Sequence, residues 1–479
     1  MSADRDVDVL VIGSGAAGLA AAVAAHERGA ARVMVAEAEN VVGGSSRLSG
    51  GVVMGSGSRL QKAAGISDDP ASFLHDYLLY NRYDVERGPV ATLTQRSGDT
   101  IDWLHDLGVP FNAGLIFCGI EQNKRGHLVE GGGQGLIDGL HSYCRKLGID
   151  IALGQRVDRL LVEDGVVRGA AVGDDVITAG AVVIATGGFG ADMEKVARFF
   201  PSVHYEGWTW YIGADGARGD ALDFARDLDL QAVGFDHGLR TIAPQFFPQR
   251  LNEAFQPGWS ALLTEDGRRF MDESLPYAVV DARMRAIGDR AFMLFDDNAM
   301  RPPEEPEDVA TRYRHPYRQE WPTHAPFRPK NYVADLVDQM VEKGRVQKAD
   351  SIAAVASAAG LPVDRVVGEI ERYNQFCAGG QDDDHLKPAE FLLPIEKAPF
   401  YLIEVRPCTL NWTGYGLRID AQGRVLHENG HEVVGLYAAG ECTGGVLGAI
   451  YVGSGNSLAN SCVIGRVAGQ SAAAHVVGG

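Results

Sequence analysis

The sequence predicts an α/β protein in which a sheet-based first domain is interrupted by a smaller α+β domain. The chain begins with a strand, a glycine turn, a helix and a second strand between residues 7 and 36, and its 479 residues exceed one ordinary core. Glycine clusters occur near both ends but vanish from about 235 to 406, where most prolines lie. We therefore expect a discontinuous, Rossmann-like domain over 1–236 and 407–479, with an inserted α+β substrate-capping domain over 237–406.

The local patterns identify individual elements. Val7 to Ile12 is a short apolar run typical of a buried strand, and Ala16 to Glu27 is a small-residue helix. Arg32 to Ala36 predicts the second strand. Asp164-Gly165, between two β-rich runs, predicts a hairpin turn. Within the inserted domain, Pro362 to Cys377 has the charged, periodic pattern of an exposed helix.

The first glycine turn indicates dinucleotide binding. Gly13-Ser-Gly15-Ala-Ala-Gly18 stands between a strand and a helix, which is the context that makes G-x-G-x-x-G informative. Gly13 allows the tight turn, Gly15 lets the backbone approach a pyrophosphate, and Gly18 lets the helix pack closely on the strand. The helix N-terminus offers unpaired N–H groups to the phosphates. Glu37, 19 residues after Gly18, has the spacing of the acid that binds a ribose hydroxyl.

Three further clusters of small residues favour FAD over a nicotinamide dinucleotide. They lie at 43–51, at 185–190 and at 440–455, and FAD is long enough to need all of them. We expect Glu441 to bind a ribitol hydroxyl and the helix near Asn456 to point N–H groups at the N1/C2=O edge of the flavin. The other predicted FAD-binding residues are Ala17, Ala38, Gly44, Ser45, Ser46, Ser49, Gly50, Gly51, Val157, Ala185, Thr186, Gly187, Asp215, Gly440, Ser457 and Leu458.

Charge and composition argue against several classes of protein. The net charge of −19 repels nucleic acids and anionic lipid surfaces, so we expect neither as a partner. No run reaches the roughly 18 apolar residues of a membrane span, and six residues before the first strand are too few for a secretory signal. We therefore expect a cytoplasmic location. The six cysteines form no C-x-x-C pair, which argues against zinc, haem and iron–sulfur centres.

Over nearly the whole chain, these segments resemble the fumarate reductase and 3-ketosteroid dehydrogenase superfamily of flavoproteins. Three positions that are cationic or polar in fumarate reductases are aromatic here. Tyr277 follows Pro276 at the place of the arginine that serves as the general acid in fumarate reductases. Tyr451 replaces a substrate-binding arginine, and Trp412 lies in the segment that matches His-Thr-x-Gly-Gly. Without those cations a dicarboxylate would be desolvated at a cost of several kcal/mol. The motifs that carry the resemblance span 13–18, 43–51, 185–189, 213–220, 266–273 and 435–441.

The resemblance to the ketosteroid branch implies a role for each phenol. Tyr277 matches the base that removes the α proton, while Tyr451 and the N–H of Gly455 match the groups that bind the ketone oxygen. Lys124, Arg125 or His127 could lower the pKa of the base if the fold brings them close. The branch uses a further tyrosine that 111–130 lacks, so a smaller ring, such as 4-oxocyclohexanecarboxylate, stands beside a steroid as the expected substrate.

The direction of the reaction stays open at this stage. The same residues could serve an ene-reductase that acts on an unsaturated acid or ketone, and a flavin-binding protein without turnover is a third hypothesis. Ser45-Ser46-Arg47 offers no histidine for covalent attachment, so we expect FAD to be bound non-covalently. The electrons would then leave to an external acceptor such as O₂ or a quinone.

Overall fold

The computed structural model describes residues 5–119, 121–245, 257–314 and 333–478. The chain divides into two compact units. The first comprises Met1–Ser202, Gly213–Leu239 and Asn411–Gly479, and the second comprises Val203–Ile212 and Arg240–Leu410.

The described residues form strands of 2 to 14 residues and helices of 4 to 22 residues. The strands are β1 (Val7–Ile12), β2 (Val33–Ala36), β3 (Val52–Met54), β4 (Phe111–Ile116), β5 (Gly126–Val129), β6 (Asp150–Ala152), β7 (Arg159–Glu163), β8 (Val166–Val172), β9 (Asp175–Ile184), β10 (Trp210–Tyr211), β11 (Ala232–Val233), β12 (Gly238–Ala243), β13 (Ala261–Leu263), β14 (Ala291–Asp296), β15 (Gln347–Ala349), β16 (Phe400–Thr413), β17 (Gly416–Leu417), β18 (Arg424–Leu426) and β19 (Glu432–Ala438). The helices are α1 (Ala16–Glu27), α2 (Arg59–Ala63), α3 (Pro70–Tyr80), α4 (Arg87–Asp106), α5 (Gly132–Leu147), α6 (Met193–Phe199), α7 (Asp220–Asp227), α8 (Tyr277–Ala286), α9 (Asp297–Met300), α10 (Glu307–Arg314), α11 (Ala334–Glu342), α12 (Ile352–Ala358), α13 (Val363–Gly379) and α14 (Asn456–Val477).

The first unit is built on an eight-stranded sheet. Its main path has the order β18-β19-β9-β1-β2-β6, and β19, β9, β1, β2 and β6 run parallel. In register, Val9 of β1 lies between Val33 and Ala181. Helix α1 connects β1 to β2, so the predicted strand–helix–strand unit is present with the bounds expected for β1 and α1. The prediction of an α/β fold is confirmed.

Small residues allow the first and last helices to pack closely. Every residue of α1 from Ala16 to Ala25 is buried, which is why this helix shows no polar face. A Cβ at Gly465 of α14 would lie 2.4 Å from the carbonyl oxygen of Ala17, and one at Gly469 would lie 2.1 Å from that of Ala21. The backbones of α1 and α14 therefore approach more closely than larger side chains permit.

The hairpin predicted at Asp164-Gly165 is also present. β7 and β8 pair antiparallel on either side of it, and both turn residues have positive φ, 51° and 75°. Two consecutive residues with positive φ are typical of the type I′ turn, whose twist matches that of the flanking strands. Antiparallel pairing of β3 with β5 and of β5 with β4 forms a separate small sheet in the same unit.

The second unit is built on a six-stranded sheet. The order is β10-β16-β14-β13, with β12 and β15 also paired to β16. Alternate residues of β14 belong to different cores: Met293 and Phe295 join one apolar cluster, and Phe292 and Leu294 join the other. The sheet is therefore covered on both faces. None of the helices in the described ranges combines the length and the hydropathy that crossing a membrane requires.

Candidate cofactor cleft and active-site residues

A cleft in the first unit lies at the carboxyl ends of the parallel strands. Its lining begins where β1, β2, β9 and β19 end, and it encloses about 740 Å³ of empty space, including solvent at its mouth. Ligands of open α/β sheets bind at this edge. The predicted FAD-binding residues that line the cleft are Gly13, Gly15, Ala17, Glu37, Ala38, Gly44, Ser45, Ser46, Val157, Ala185, Thr186, Gly187, Gly440 and Glu441.

The three glycines of the first turn have different surroundings. Gly13 has φ of 106°, and a Cβ there would lie 2.3 Å from the carbonyl oxygen of Ala185. A Cβ at Gly18 would lie 1.9 Å from the carbonyl oxygen of Gly13, so close packing of helix on strand requires glycine. At Gly15 the nearest atom to such a Cβ would be the Oγ of Ser46, at 3.6 Å. Protein packing therefore does not require glycine at 15, and we expect the approach of the FAD pyrophosphate to require it.

Substitution of Gly15 and Gly18 separates these two roles. We expect Gly15→Ala to leave the unfolding free energy of the apoprotein within about 0.5 kcal/mol of wild type and to weaken FAD binding. Gly18→Ala should instead lower apoprotein stability by about 1–3 kcal/mol, because its methyl group overlaps backbone. Urea unfolding and flavin fluorescence titration measure the two effects. Wild-type FAD affinity in Gly15→Ala would contradict this assignment.

The carboxylate of Glu37 organises the end of the turn. Its Oε2 accepts from the Ser14 N–H at 2.7 Å and from the Ser14 hydroxyl at 2.5 Å, and its Oε1 accepts from the Glu39 N–H at 2.8 Å. The side chain is buried and lines the cleft. A carboxylate has about four acceptor positions, so these bonds leave capacity for a ligand hydroxyl.

Two oxygen atoms in the cleft wall support binding of a polar ligand. The Oγ1 of Thr186 and the Oε2 of Glu39 are buried and have no hydrogen-bond partner among the described residues. Buried polar atoms are rarely left without a partner. The cleft therefore fits a molecule with several hydroxyl and amine groups, and FAD is such a molecule.

Glu441 lies in an unusual environment for a carboxyl group. Its Oε1 accepts from the backbone N–H and the hydroxyl of Thr413, at 2.9 and 3.0 Å. Burial raises the pKa of Glu441 to about 7, although the Thr413 bonds oppose the shift. A Cβ at Gly188 would lie 2.2 Å from the same carboxylate oxygen, which explains the second glycine of the Gly187-Gly188 pair.

Some predicted cofactor residues lie outside the cleft lining. Gly18 supports the turn from behind, and a Cβ at Gly51 would lie 2.3 Å from the backbone of Gly132 at the start of α5. The hydroxyl of Ser49 donates to the carbonyl of Ser46 at 2.8 Å. These contacts are within the protein, and direct roles in FAD binding stay predictions for Gly18, Ser49, Gly50, Gly51, Asp215, Asn456, Ser457 and Leu458.

The cleft also contains residues that the sequence did not indicate. Gln155 comes from a segment without a glycine cluster, and Ser461 lies in the second turn of α14. Ala214, Gly216 and Asp220 belong to the 213–220 motif, which was recognised by resemblance without a role for these three positions. The carboxylate of Glu39 accepts from the Gly216 N–H at 2.9 Å, so this loop is held against the end of β2.

The loop before α14 carries the buried phenol of Tyr451. Its oxygen accepts from the backbone N–H of Ser457 at 3.0 Å and lies 3.1 Å from the Ser457 hydroxyl. Burial raises the pKa of Tyr451. Gly455 precedes α14 with φ of 89°, and a Cβ there would lie 2.7 Å from the carbonyl oxygen of Val52. The N–H of Ser457, expected to face the flavin, thus contacts Tyr451 in this structure.

Helix α3 holds the same loop in place. The hydroxyl of Tyr77 donates to the carbonyl of Val446 and accepts from the side-chain amide of Asn456, both at 2.8 Å. The side-chain oxygen of Asn81 accepts from the Ile450 N–H at 3.0 Å. Tyr77 and Asn81 are buried and fix both ends of the segment that contains Tyr451. No local pattern in the sequence links residues this far apart.

Tyr277 belongs to the second unit and is the first residue of α8. The helix follows Pro276 and a turn in which the Asp272 carboxylate accepts from the N–H and the hydroxyl of Ser274, at 2.8 and 2.6 Å. The side chain of Tyr277 is half-buried. Its role as the base stays a prediction.

Arg125, one of three residues considered as able to lower the pKa of the base, forms ion pairs within the first unit. Its guanidinium donates to both carboxylate oxygens of Asp68, at 2.8 and 2.9 Å, and to Asp76 at 2.6 Å. The side chain is 1% exposed, and its guanidinium carbon lies 4.8 Å from the Phe73 ring centroid. The ammonium of Lys124, the second residue considered as able to lower the pKa of the base, lies 5.3 Å from the ring centroid of Phe117.

His127 is a buried, neutral histidine of β5. Its Nδ1 lies 2.9 Å from the carbonyl oxygen of Arg125, and the Ser58 hydroxyl lies 2.6 Å from its Nε2. The carbonyl makes Nδ1 the donor, so Nε2 accepts from Ser58. Burial lowers the pKa of His127 to about 4, although its carbonyl contacts oppose the shift. His127 therefore carries no charge that could acidify a phenol at neutral pH.

The buried state of His127 predicts a loss of stability in mild acid. The pKa of His127 is about 6.5 in the unfolded chain and about 4 in the folded protein. Between these two pH values the unfolded chain therefore binds the proton more tightly than the folded protein does. The contribution of neutral His127 to the free energy of unfolding is complete above pH 6.5 and is lost as the pH falls through 4. The total loss is about 3 kcal/mol. Urea unfolding of wild type and His127→Asn across pH 4–7.5 measures it. The variant should show the flatter dependence, and equal slopes would contradict the assignment.

The 266–273 motif forms a buried ion cluster in the second unit. The Glu273 carboxylate accepts from the Arg269 guanidinium at 3.1 and 3.0 Å and from the Lys387 ammonium at 3.0 Å. Asp382 binds Arg269 at 3.0 Å, and the Arg269 guanidinium lies 4.5 Å from the Tyr373 ring centroid. Burial opposes ionisation, but the cations outweigh it and lower the pKa of Glu273 to about 2. The motif is structural and ends four residues before Tyr277.

A family model described as "FAD binding domain" matches residues 8–458, which include every residue of the cleft lining except Ser461. The chain belongs to this FAD-binding family. Its cofactor is therefore FAD, as the glycine clusters predicted, and the protein is an FAD-dependent oxidoreductase. The resemblance to the fumarate reductase and 3-ketosteroid dehydrogenase superfamily is confirmed.

Relatives of this FAD-binding protein include enzymes from both branches. A fumarate reductase (cytochrome) of Shewanella frigidimarina is 28% identical over 490 residues, 99% of this chain and 78% of the relative. A vinyl phenol reductase of Lactiplantibacillus plantarum is 28% identical, covering 98% of this chain and 96% of the relative. The structure of a 3-ketosteroid-Δ4-(5α)-dehydrogenase from Rhodococcus jostii has a TM-score of 0.75 at 25% identity, covering 99% and 98%.

Proposed function

We propose that this chain is a dehydrogenase that introduces a C=C bond next to the ketone of a cyclic substrate, either a 3-ketosteroid or a smaller ring such as 4-oxocyclohexanecarboxylate. The observation that carries the proposal is the buried phenol of Tyr451, bonded to the N-terminus of α14. Because burial raises its pKa, the phenol stays protonated at neutral pH and is able to donate to a ketone oxygen. The helix end favours negative charge that develops on that oxygen.

The reaction removes a proton from the α carbon and a hydride from the β carbon. FAD supplies a two-electron acceptor for the hydride at N5. Tyr277, as the phenolate, takes the α proton, and the Tyr451 hydroxyl with the Gly455 N–H stabilises the enolate oxygen. The proton then passes to solvent, and the electrons pass to an external acceptor such as O₂ or a quinone.

The state of the buried arginines supports a ketone rather than a dicarboxylate. Arg125 binds two aspartates, Arg240 binds Asp281 and Asp289 at 2.6 Å, and Arg269 binds Glu273 and Asp382. Each is therefore neutralised by carboxylates of its own unit. Binding a dicarboxylate would require cationic side chains, and these three guanidinium groups are already paired with carboxylates of the protein.

A second candidate is an ene-reductase that runs the chemistry in reverse on an unsaturated acid or ketone. The observation in its favour is the 28% identity to a fumarate reductase and to a vinyl phenol reductase across nearly the whole chain. The same phenols serve both directions, since the proton and the hydride return along one path.

Anaerobic flavin spectroscopy tests the proposal. The holoenzyme is mixed with 4-androstene-3,17-dione, with 4-oxocyclohexanecarboxylate or with succinate, and flavin absorbance near 450 nm is followed. We expect one of the two ketones to bleach the flavin and succinate to leave it oxidised. In the reverse test, dithionite-reduced enzyme is mixed with fumarate or 4-vinylphenol. Reoxidation by either, with no bleaching by a ketone, would replace the dehydrogenase with the ene-reductase.

A further inference from the structure

Trp412 contains a buried hydrogen-bond donor. Its side chain is 4% exposed, and its indole Nε1 has no hydrogen-bond partner among the described residues. Tryptophan N–H groups in protein interiors usually find an acceptor, and a buried donor without one costs free energy. A ligand that accepts from this N–H group is one explanation for its burial.

The position of Trp412 connects it to the cofactor cleft. It precedes Thr413, whose backbone N–H and hydroxyl bind the carboxylate of Glu441 in the cleft wall. The Thr413 hydroxyl also accepts from the Phe189 N–H at 3.2 Å. The end of β16 is thus fixed to the residues that follow β9 and β19, and Trp412 is held beside the cleft rather than in a distant part of the core.

The Trp412 ring packs on the phenol that the proposed reaction uses. The ring centroids of Trp412 and Tyr451 are 5.5 Å apart, with 53° between the ring planes. An indole N–H and a phenolic O–H therefore occur on one packed pair of rings, and both are neutral donors at neutral pH. Because the two rings are in contact, both donors could bind one small ligand that carries two oxygen acceptors.

We propose that the Trp412 indole N–H binds a second oxygen of the substrate, a carbonyl or carboxylate across one six-membered ring from the ketone that Tyr451 binds. This inference rests on the proposed function and selects between its two substrates. The oxygens of 4-oxocyclohexanecarboxylate lie at opposite corners of one ring. Those of a 3,17-diketosteroid lie at the ends of four fused rings, beyond the reach of two side chains in contact. Trp412 is thus a substrate-positioning residue that selects a single-ring oxo compound.

Kinetics of Trp412→Phe provide the first test, because phenylalanine keeps an aromatic ring and removes the N–H. The substrates are 4-oxocyclohexanecarboxylate and 1,4-cyclohexanedione, which carry the second oxygen, and 4-methylcyclohexanone, which does not. We expect the variant to raise KM about tenfold for the first two and to leave 4-methylcyclohexanone unchanged. Trp103→Phe is the control, since the Trp103 indole already donates to Glu27 at 3.0 Å. An equal change for all three substrates would overturn the inference.

A binding measurement separates this inference from the proposed function. In holoenzyme labelled with ¹⁵N-tryptophan, the Trp412 indole signal is assigned by its absence from Trp412→Phe, and unreactive cyclohexanecarboxylate is added. We expect the indole proton to move downfield as it gains an acceptor. A shift in protein whose flavin no ketone bleaches would retain the Trp412 site and reject the dehydrogenase. If 4-oxocyclohexanecarboxylate bleaches the flavin, but the indole proton does not move and Trp412→Phe leaves KM unchanged, the dehydrogenase would be retained and the Trp412 site rejected.

Discussion

Tyr277→Phe is expected to lower the rate of flavin reduction by about 10²–10⁴-fold, the range that a general base contributes. The substitution removes one oxygen atom and keeps the aromatic ring at the start of α8, so packing of the half-buried side chain is retained. Stopped-flow spectroscopy under anaerobic conditions, with the ketone that bleaches the wild-type flavin, measures the rate. FAD affinity should stay unchanged, because Tyr277 lies outside the unit that contains the cleft.

The control for this substitution is Tyr83→Phe, which makes the same chemical change in a side chain that is 66% exposed. It should leave the rate of flavin reduction at the wild-type value. The pH dependence provides a second check, since the wild-type rate should rise with pH as the base ionises and the variant should lose that rise. A rate in Tyr277→Phe within threefold of wild type would remove Tyr277 from the mechanism and leave the FAD assignment intact.

Glu273→Gln is expected to destabilise the second unit by about 3–5 kcal/mol, the usual cost of removing one partner from a buried ion pair. Glutamine is nearly the same size but carries no charge, so the cations of Arg269 and Lys387 would lose the carboxylate that binds both. Urea unfolding measures the change. Glu265→Gln is the matched control, because Glu265 pairs with Arg290 at 2.5 Å on the exposed surface, where such a pair contributes about 1 kcal/mol or less.

Acid should reduce the difference between wild type and Glu273→Gln. The folded pKa of Glu273, about 2, is below the ordinary 4.5, so its contribution is complete above pH 4.5 and is lost as the pH falls through 2. The two unfolding free energies should therefore converge at low pH. A constant difference between pH 7 and pH 3 would contradict ionisation as the source of the stabilisation, and packing around the cluster would then be the cause.

The parts of the fold that could be predicted from the sequence are those with a local pattern. Glycine spacing located the turn at Gly13 and the hairpin at Asp164-Gly165, because each conformation depends on adjacent residues. Pairing between distant segments leaves no such mark. No sequence feature indicates that Trp210 of β10 pairs with Thr409 of β16, almost 200 residues later.

The candidate site shows the same limit. Residues in glycine clusters were assigned to the cofactor and mostly line the cleft. Gln155 was missed, and Asp220 was recognised only as part of the 213–220 motif, without a role. Arg125 and His127 were considered as groups that could lower the pKa of the base, because they occur in 111–130, the stretch that lacks the further tyrosine. Their ionic and carbonyl partners are known only once the chain is folded, and those partners give both residues structural roles.

The strand order of the main sheet has a consequence for biosynthesis. β19 pairs with β9, while Gly440, Glu441 and Ser461 complete the cleft whose first wall is formed by residues 12–17. The nascent chain therefore exposes its amino-terminal nucleotide turn on the ribosome long before the opposite wall has been translated. Capture of the vitamin-derived cofactor must wait until residues 440–461 emerge, so a chain terminated before Gly440 should yield colourless protein.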